Sequence, residues 1–370
     1  MEAPLAIERF FEGRARPVFL AGPDPPYEPG EVEEAMARHG LEHHLAFASS
    51  GTSGPPKVVC HSREGIWAQA DRVNRHLRIE AASVLLRCLP WWHVGGFSLH
   101  ARAVRAGARL VEEDSKWAPA RLAALLSQEG VTHLSLVPTQ VFDLVAERIP
   151  APASLQAVVV GGGALLPEWG ERAQALGWPL LGSYGMTETG SQVATQSPGE
   201  SFAPEPLPLL EGWSARVDQG GRLLLSGGGL CSGWLRKEND TWRWEEVSSE
   251  LPTSDEAEVF TREGQSWLRS LRRGDEVVKI LGELVSLSAV EERLGRSDVL
   301  VLAVPEERAG ARLVLVGEGL TVEELERVRA SWNGAASGLE RLSSVHALER
   351  FPRSDLGKVR RALVLRELTS

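Results

Sequence analysis

The chain has few cysteines and no long apolar run. Its three cysteines, Cys60, Cys88 and Cys231, are widely spaced and form no CxxC pair. This spacing excludes a disulfide framework and a cysteine-based structural zinc site. No apolar stretch approaches the ~18 residues of a membrane span, and the N-terminus lacks the apolar region of a signal peptide. These absences predict a cytoplasmic protein without a membrane partner.

An excess of positive charge is also absent. The chain carries 40 lysine and arginine residues against 50 aspartate and glutamate residues, a net charge of -10. This balance argues against nucleic acid or an anionic membrane as the main partner. An anionic ligand must therefore be held by a local site. Lysine is rare among the basic residues and occurs only as Lys57, Lys116, Lys237, Lys279 and Lys358.

The stretch from Ser49 to Lys57 has the composition of an anion-binding loop. It follows Leu45–Ala48, a short apolar run typical of a buried strand. Its glycines allow close approach of the backbone, its hydroxyls are donors, and its lysine adds a positive charge. It is not a Walker A loop, which has four residues between its glycines and a Gly-Lys-Ser/Thr ending. A polar surface loop would explain this composition equally well.

Apolar strand segments and helix-length segments alternate along the first half of the chain. Strands are predicted at 84–89, 109–112, 133–137, 155–160 and 179–183, and helices at 63–77, 99–106, 118–128, 139–148 and 168–176. This alternation predicts an α/β fold with a mostly parallel sheet. Sites in such sheets form beyond the carboxyl ends of the strands. Three polar or glycine-rich loops lie there, at 49–57, 161–163 and 184–189.

The pattern changes at about residue 204. Short alternating segments with glycine turns predict a small β subdomain at about 204–270, inside an N-terminal domain of residues 1–272. Charged helix and strand segments follow in residues 273–370. This tail is long enough for a separate small α+β domain.

Several motifs occur in an order known from one group of enzymes. They are Ser49–Lys57, Pro90–His93, Gly161–Gly163, Tyr184–Glu188, Asp255, Arg273–Glu283 and Pro352–Lys358. From about residue 40 to 365 they resemble the signatures of the ANL superfamily of adenylate-forming enzymes. Two segments, Val131–Gln140 and Tyr184–Thr195, resemble the o-succinylbenzoate-CoA ligases of menaquinone biosynthesis.

This resemblance implies an ATP-dependent acid:CoA ligase. A carboxylate would attack the α-phosphate of ATP, giving an acyl-adenylate and diphosphate, and the thiol of coenzyme A would then displace AMP. The implied cofactors are ATP, Mg²⁺ and coenzyme A, the last as a substrate, and the implied partners are small molecules. Because the reaction brings two anions together, positive charge and metal must do most of the work.

The resemblance also implies roles for residues at the nucleotide. The loop around the β- and γ-phosphates would consist of Ser49, Ser50, Gly51, Thr52, Ser53, Gly54 and Lys57. Thr187 would contact the α-phosphate and Glu188 would hold Mg²⁺. An adenine slot would be formed by Gly162, Gly163, Tyr184 and Gly185. Without the resemblance, Thr187 and Glu188 would be interpreted as an ordinary helix N-terminus.

Further roles fall on the ribose site and the C-terminal domain. By resemblance, Asp255 accepts the ribose hydroxyls, and Arg273 reaches the ribose and phosphates, with Arg272 as the alternative. Lys358 bridges the carboxylate and the α-phosphate. Asp275 is the hinge about which a mobile C-terminal domain turns, bringing Gly282 to the pantetheine channel. Without the motifs, Asp275 would be a capping residue and Lys358 a solvated lysine.

The acyl pocket is expected to involve His93, Ser191, Gln192 and Thr195. His93 could equally be a packed core histidine. The phosphate loop begins earlier than in relatives, which predicts a shortened N-terminal region. Either the remaining sheets close without it, or a homodimer partner or a rearranged loop covers the exposed face. Other functions stay open: a ligase for another aryl or acyl acid, a free-standing adenylation enzyme that loads a carrier protein, or an inactive nucleotide-binding protein.

Overall fold

A computed structural model describes residues 7–8, 10–13, 16–23, 25–49, 56–163, 165, 167–273, 277–280, 283–306, 309–336, 338–354 and 357–369. The chain divides into two compact units, residues 1–253 with 258–269, and residues 254–257 with 270–370. The α/β class predicted from the sequence is confirmed. Within the ranges described, no helix combines the length and the apolar character needed to cross a membrane.

Strands and helices alternate along much of the chain. The strands are β1 (Val18–Leu20), β2 (His44–Ser49), β3 (Lys57–Ser62), β4 (Val84–Arg87), β5 (Arg109–Glu112), β6 (His133–Leu136), β7 (Ala157–Val160), β8 (Leu180–Met186), β9 (Ser191–Thr195), β10 (Leu207–Pro208), β11 (Trp213–Val217), β12 (Arg222–Gly227), β13 (Gly233–Glu238), β14 (Thr241–Glu246), β15 (Leu251–Arg262), β16 (Gln265–Arg273), β17 (Val277–Ile280), β18 (Glu283–Ser286), β19 (Val299–Glu306), β20 (Gly310–Glu318) and β21 (Leu342–Leu348). The helices are α1 (Pro29–Arg38), α2 (Arg63–Leu77), α3 (Val94–Ala106), α4 (Pro119–Glu129), α5 (Pro138–Ala146), α6 (Pro167–Ala175), α7 (Leu287–Leu294), α8 (Val322–Ala335) and α9 (Arg361–Thr369).

A six-stranded sheet with the order β5-β4-β6-β7-β8-β9 forms the centre of the first unit. Its strands pair in parallel except for the pair β8–β9. Every residue of β7 is buried, as expected for a parallel strand covered on both faces. Val158 and Val160 of this strand pack with Leu134, Leu136 and Trp178 in one core cluster. The predicted mostly parallel sheet is therefore confirmed.

A second sheet, with the order β1-β2-β3-β13-β14, carries the ends of the predicted phosphate loop. The sequence predicted that helix α2 would follow this loop, but strand β3 lies between them. Val58, Val59 and Cys60 of β3 are fully buried, and β3 pairs with both β2 and β13. The strands with which such a short apolar run pairs cannot be predicted from the sequence. Helix α2 then starts after Ser62, whose hydroxyl accepts the Gly65 N–H at 3.1 Å.

The remaining strands form smaller sheets. One has the order β10-β16-β15-β12-β11. Strands β13 and β14 fall inside the segment predicted as a β subdomain but extend the sheet of β3 instead. In the second unit, the order β19-β20-β21 is accompanied by the hairpin β17-β18. Leu313, Leu315 and Leu325 are among the buried residues of its core.

Candidate active site

The β2–β3 hairpin fixes both ends of the predicted phosphate loop. Its antiparallel register places Ser49 opposite Lys57. Lys57 is thus the first residue of a strand in the sheet and not part of a free loop. Five residues predicted to contact phosphate lie outside the described residues, namely Ser50, Gly51, Thr52, Ser53 and Gly54.

Lys57 and Glu188 meet in the first unit. The Lys57 Nζ lies 2.6 Å from the Glu188 Oε1, and the two side chains are 19% and 15% exposed. The same ammonium group lies 4.1 Å from the ring centroid of Trp234 on β13, close enough for a cation–π interaction. The structure therefore brings together the residues predicted to contact the leaving diphosphate and Mg²⁺.

Two groups beneath the Thr187–Thr189 turn hold its backbone in place. The His61 Nε2 lies 2.7 Å from the Thr187 carbonyl oxygen, so Nε2 must carry the proton of the neutral ring. The backbone N–H of Cys231 donates to the Glu188 carbonyl oxygen at 2.7 Å. These bonds fix the backbone of Thr187 and Glu188, one from strand β3 and the other from the β12–β13 connection.

Replacing His61 by glutamine should reduce the loss of stability at low pH. Burial lowers the pKa of His61 from 6.5 to about 4, against the opposing effect of the bond to Thr187. His61 binds a proton more readily in the unfolded chain than in the folded protein. Its contribution to stability is therefore complete above about pH 6.5 and falls progressively as the pH drops towards about 4. The full contribution of this pKa shift to the free energy of unfolding is ~3 kcal/mol, since one pKa unit corresponds to ~1.4 kcal/mol. Urea unfolding at about pH 7 and about pH 4.5 measures this.

Glutamine keeps an N–H donor for the Thr187 carbonyl but does not titrate. We therefore expect the variant to lose less stability than the wild type between those two pH values. Equal losses in the two proteins would show that His61 does not control the acid response.

Close backbone packing shapes the turn on its other side. The register of β8 and β9 shifts between Tyr184 and Gly185. A Cβ atom added to Gly185 would lie 2.1 Å from the Ser191 carbonyl oxygen. Gly190 ends the turn with φ of 64°, in the left-handed region that favours glycine. The sequence therefore needs glycine at both positions to fold the chain back after Glu188.

We expect Gly185→Ala to destabilise the first unit, because the new methyl group meets backbone that cannot rotate away. Overpacking of this kind costs about 1–3 kcal/mol. Gly30→Ala is the matched control, since a Cβ there meets nothing within 4 Å. Urea unfolding of both variants measures the difference, and equal stabilities would contradict the proposed close packing.

The predicted adenine slot lies at neighbouring strand ends. Strands β7 and β8 are parallel neighbours, with Val160 paired to Gly182. The Ser183 hydroxyl donates to the Val160 carbonyl oxygen at 2.8 Å. Gly162 and Gly163 follow β7 and are exposed, whereas Tyr184 is partly buried on β8. The sequence placed Tyr184 in a loop, but β8 continues to Met186 because β9 pairs with its end.

The predicted acyl-pocket residues occupy two elements. His93 is the N-cap residue of α3, and its carbonyl oxygen accepts the N–H groups of Gly96 and Phe97. Ser191, Gln192 and Thr195 are buried on β9. The Gln192 side-chain amide donates to the Thr195 hydroxyl at 2.8 Å. Three of the four side chains thus belong to the interior beside the Thr187–Thr189 turn.

The other predicted site residues belong to the second unit. Asp255 lies on β15 and is 5% exposed. Arg273 is the last residue of β16. Lys358 is exposed, and its backbone N–H donates to the Ser354 hydroxyl at 3.3 Å. Asp275 and Gly282 lie outside the described residues.

Three side chains near the turn had no signal in the sequence. His61 sits in a short apolar strand, Arg102 in a helix that is otherwise largely apolar, and Trp234 in a segment predicted as a separate subdomain. Arg102 donates to the Ser191 hydroxyl at 2.5 Å and to the Gln192 side-chain oxygen at 2.6 Å. Only the packing of distant elements connects these residues to the turn.

Residues 38–222 match the family of AMP-binding enzymes. The chain is 36% identical over 152 residues to the 2-succinylbenzoate–CoA ligase of Staphylococcus epidermidis, covering 40% of this chain and 31% of that protein. It is 30% identical over 223 residues to the enzyme of that name from Staphylococcus aureus, covering 57% of this chain and 44% of that protein. The chain therefore matches less than half the length of these relatives.

Solved structures share the fold. The o-succinylbenzoate CoA synthetase from Bacillus subtilis in complex with the acyl-adenylate intermediate OSB-AMP has a TM-score of 0.71 at 21% identity, covering 86% of this chain and 68% of that one. An Escherichia coli MenE variant with bound OSB-AMS has a TM-score of 0.69 at 24% identity, covering 88% and 68%. The ATP-bound MatB of Rhodopseudomonas palustris has a TM-score of 0.73 at 21% identity, covering 88% and 68%.

Proposed function

The chain belongs to the family of AMP-binding enzymes, and from this premise we propose that it is an ATP-dependent acid:CoA ligase. The reaction converts ATP, a carboxylic acid and coenzyme A to an acyl-CoA, AMP and diphosphate through an acyl-adenylate. We propose o-succinylbenzoate as the acid, and menaquinone biosynthesis as the pathway. The identities to two proteins named 2-succinylbenzoate–CoA ligase support this choice of acid.

The observation that carries the proposal is the contact between Lys57 and Glu188, 2.6 Å apart beside Thr187. One group can bind a phosphate and the other a metal ion that accompanies it. Without nucleotide, the charges of Lys57 and Glu188 compensate each other. Binding of Mg²⁺–ATP would replace this ion pair by two, one between Lys57 and a phosphate and the other between Glu188 and Mg²⁺. Lys57 would then face the departing diphosphate, where negative charge develops during adenylate formation.

Glu188 fits the requirement of a nucleotide-bound Mg²⁺. No cluster of three histidine, cysteine or acidic side chains is found in the described ranges, which argues against a metal cage made by the protein alone. Mg²⁺ that accompanies ATP uses one or two carboxylates, because phosphates and water supply its other oxygen ligands. Bound there, the ion would neutralise charge on the phosphates, while His61 and Cys231 hold the backbone carbonyl groups of Thr187 and Glu188.

We propose the remaining roles on the resemblance of the motifs. Gly162, Gly163 and Tyr184 would hold adenine at the ends of β7 and β8. Asp255 and Arg273 would bind the ribose and phosphates. Lys358 would bridge the acid carboxylate and the α-phosphate during adenylation, and a turn at Asp275 would then exchange Lys358 for Gly282 before thioester formation.

Release of AMP and diphosphate tests the proposal. The protein is incubated with ATP, Mg²⁺ and coenzyme A, together with o-succinylbenzoate, benzoate, a medium-chain fatty acid or acetate. Turnover that favours o-succinylbenzoate would support both the reaction and the acid. Turnover on another acid would keep the reaction and reject the acid. ATP binding without release on any acid would favour an inactive nucleotide-binding protein.

We propose that the reaction takes place in the cytoplasm. Cys60, Cys88 and Cys231 are all free thiols, which suits a reducing compartment.

The homodimer stays a prediction of the sequence, which light scattering of the purified protein would check.

A further inference from the structure

A tyrosine from the N-terminal segment holds the carboxyl end of the predicted phosphate loop. The Tyr27 hydroxyl donates a hydrogen bond to the Pro56 carbonyl oxygen at 2.7 Å, between residues 29 positions apart in the chain. Pro56 directly precedes Lys57, so this bond acts on the peptide group that joins the two residues. Lys57 also pairs with Ser49 in the β2–β3 hairpin. The backbone of Lys57 is therefore positioned from two directions.

Packing fixes the ring of Tyr27. It lies edge-on to the Trp242 ring of β14, with the ring centroids 4.8 Å apart and the planes at 72°. Both side chains belong to one core cluster, which also contains Ala48 of β2 and Val58 of β3. The Trp242 Nε1 donates to the Glu31 Oε1 at 2.8 Å. The surface on which Tyr27 packs is thus itself held by helix α1.

The backbone and the protonation of Tyr27 suit a permanent hydrogen-bond donor. Tyr27 lies two residues before α1, and Val32, Ala35 and Met36 of this helix are fully buried in the same core cluster. Burial raises the pKa of the Tyr27 hydroxyl above its ordinary value of 10. The group therefore keeps its proton at neutral pH and donates it to the Pro56 carbonyl oxygen.

Thr132 shows a comparable hydroxyl that lies away from the candidate site. It donates to the Val84 carbonyl oxygen at 3.0 Å and accepts the Val84 N–H at 3.0 Å. Val84 begins β4 and Thr132 directly precedes β6, so this contact lies at the amino ends of parallel strands. The candidate site lies beyond their carboxyl ends. Tyr27 differs because its bond ends next to Lys57.

We propose that Tyr27 is a positioning residue for adenylation. By holding the peptide group between Pro56 and Lys57, it keeps the Lys57 ammonium group where it meets the phosphates of ATP. In this role Tyr27 acts through Lys57 and not by contact with the nucleotide. The inference rests on the proposed ligase function. Tyr27 belongs to none of the motifs that carry the family resemblance, so the segment before α1 contributes to the site in its own way.

The variant Tyr27→Phe tests this role, because it removes the hydroxyl and keeps the ring beside Trp242. We expect kcat/KM for ATP to fall roughly three- to ten-fold, the effect of losing one hydrogen bond. The KM for the carboxylic acid should change by less than about two-fold, since the acid does not contact the phosphate loop. Initial rates of diphosphate release measure both. An unchanged kcat/KM for ATP, or an equal change for the acid, would overturn the inference.

Thr132→Val is the matched control. It also removes a hydroxyl that is bonded to a distant backbone carbonyl, and it preserves the size of the side chain. Urea unfolding should show a loss of stability at least as large as in Tyr27→Phe, because two hydrogen bonds are lost. We expect its ATP kinetics to match those of the wild type. An equal fall of kcat/KM for ATP in both variants would reduce Tyr27 to a structural role.

A double-mutant cycle with Lys57→Met tests whether Tyr27 acts through Lys57. The ammonium group that Tyr27 positions is absent from this background. Adding Tyr27→Phe should therefore lower kcat/KM for ATP by less than about two-fold, because the effects of coupled residues do not add. A further fall of three- to ten-fold, as in the protein that keeps Lys57, would show independent action and overturn the inference.

Failure of the ligase function is recognised separately, by a wild type that releases diphosphate with none of the acids. Calorimetric binding of ATP with Mg²⁺ then decides. Affinity that falls roughly three- to ten-fold in Tyr27→Phe and stays unchanged in Thr132→Val would support the positioning role. Equal affinities of the wild type and Tyr27→Phe, or absence of ATP binding to the wild type, would overturn it.

Discussion

Replacing Lys358 by alanine is expected to slow acyl-adenylate formation by about 10²–10³-fold, the effect of removing one electrostatic donor from a reaction site, while sparing the second half-reaction. The reason is electrostatic: two anions must meet in the adenylation step, and a lysine that bridges them stabilises the transition state more than the separate reactants. Thioester formation from a supplied acyl-adenylate does not create this charge. ATP–diphosphate exchange measures the first step, and thiol consumption with synthetic acyl-adenylate measures the second.

The second unit offers a matched control for Lys358. Arg360 is also exposed and lies two positions along the same segment, so Arg360→Ala removes a similar charge from the same surface. We expect it to leave both half-reactions close to the wild type. If Lys358→Ala slowed both half-reactions equally, or if Arg360→Ala had the same effect, a specific role of Lys358 in adenylation would be rejected.

Replacing Lys57 by methionine is expected to lower kcat/KM for ATP by about 10²–10³-fold, the effect of removing one electrostatic donor from a reaction site. The variant loses the charge that would face the diphosphate, and Glu188 loses its partner at 2.6 Å. Methionine preserves most of the aliphatic stem beside Trp234, so packing changes little. Initial rates over a range of ATP concentrations provide the measurement.

Lys237 provides a close structural control. Its Nζ lies 2.7 Å from the Glu31 Oε1 and 6.0 Å from the ring centroid of Trp242, on the same sheet. Lys237→Met therefore also removes a lysine from an ion pair next to a tryptophan. We expect unchanged ATP kinetics for this variant. A similar loss of kcat/KM in both variants would mean that Lys57 acts through the stability of the sheet and not on the nucleotide.

These contrasts show why an ion pair alone does not identify the site. The pairs of Lys57 and Lys237 have almost the same length, and partly exposed pairs contribute little to stability. What distinguishes Lys57 is its position at the end of the β2–β3 hairpin and next to the Thr187–Thr189 turn. The proposed role of Lys57 therefore rests on this position and not on the strength of the ion pair.

The sequence by itself determined the α/β class and predicted the segments that carry the candidate site. Strand and helix periods are local properties, so the alternation from β4 to β8 could be predicted directly. The ends of parallel strands face one edge of a sheet, which also placed the loops after β7 and β8 close together. The motif order supplied the proposed roles of Lys57, Thr187 and Glu188.

Only the tertiary structure decided which distant residues meet. In the folded chain, β3 follows the phosphate loop, and β13 with Trp234 belongs to the same sheet as β3. His61 lies under Thr187, and Arg102 contacts β9. No local pattern encodes these contacts, because each depends on pairing or packing between elements far apart in the chain. A buried histidine or arginine also resembles any other core residue in sequence, and its role becomes visible only through the atoms around it.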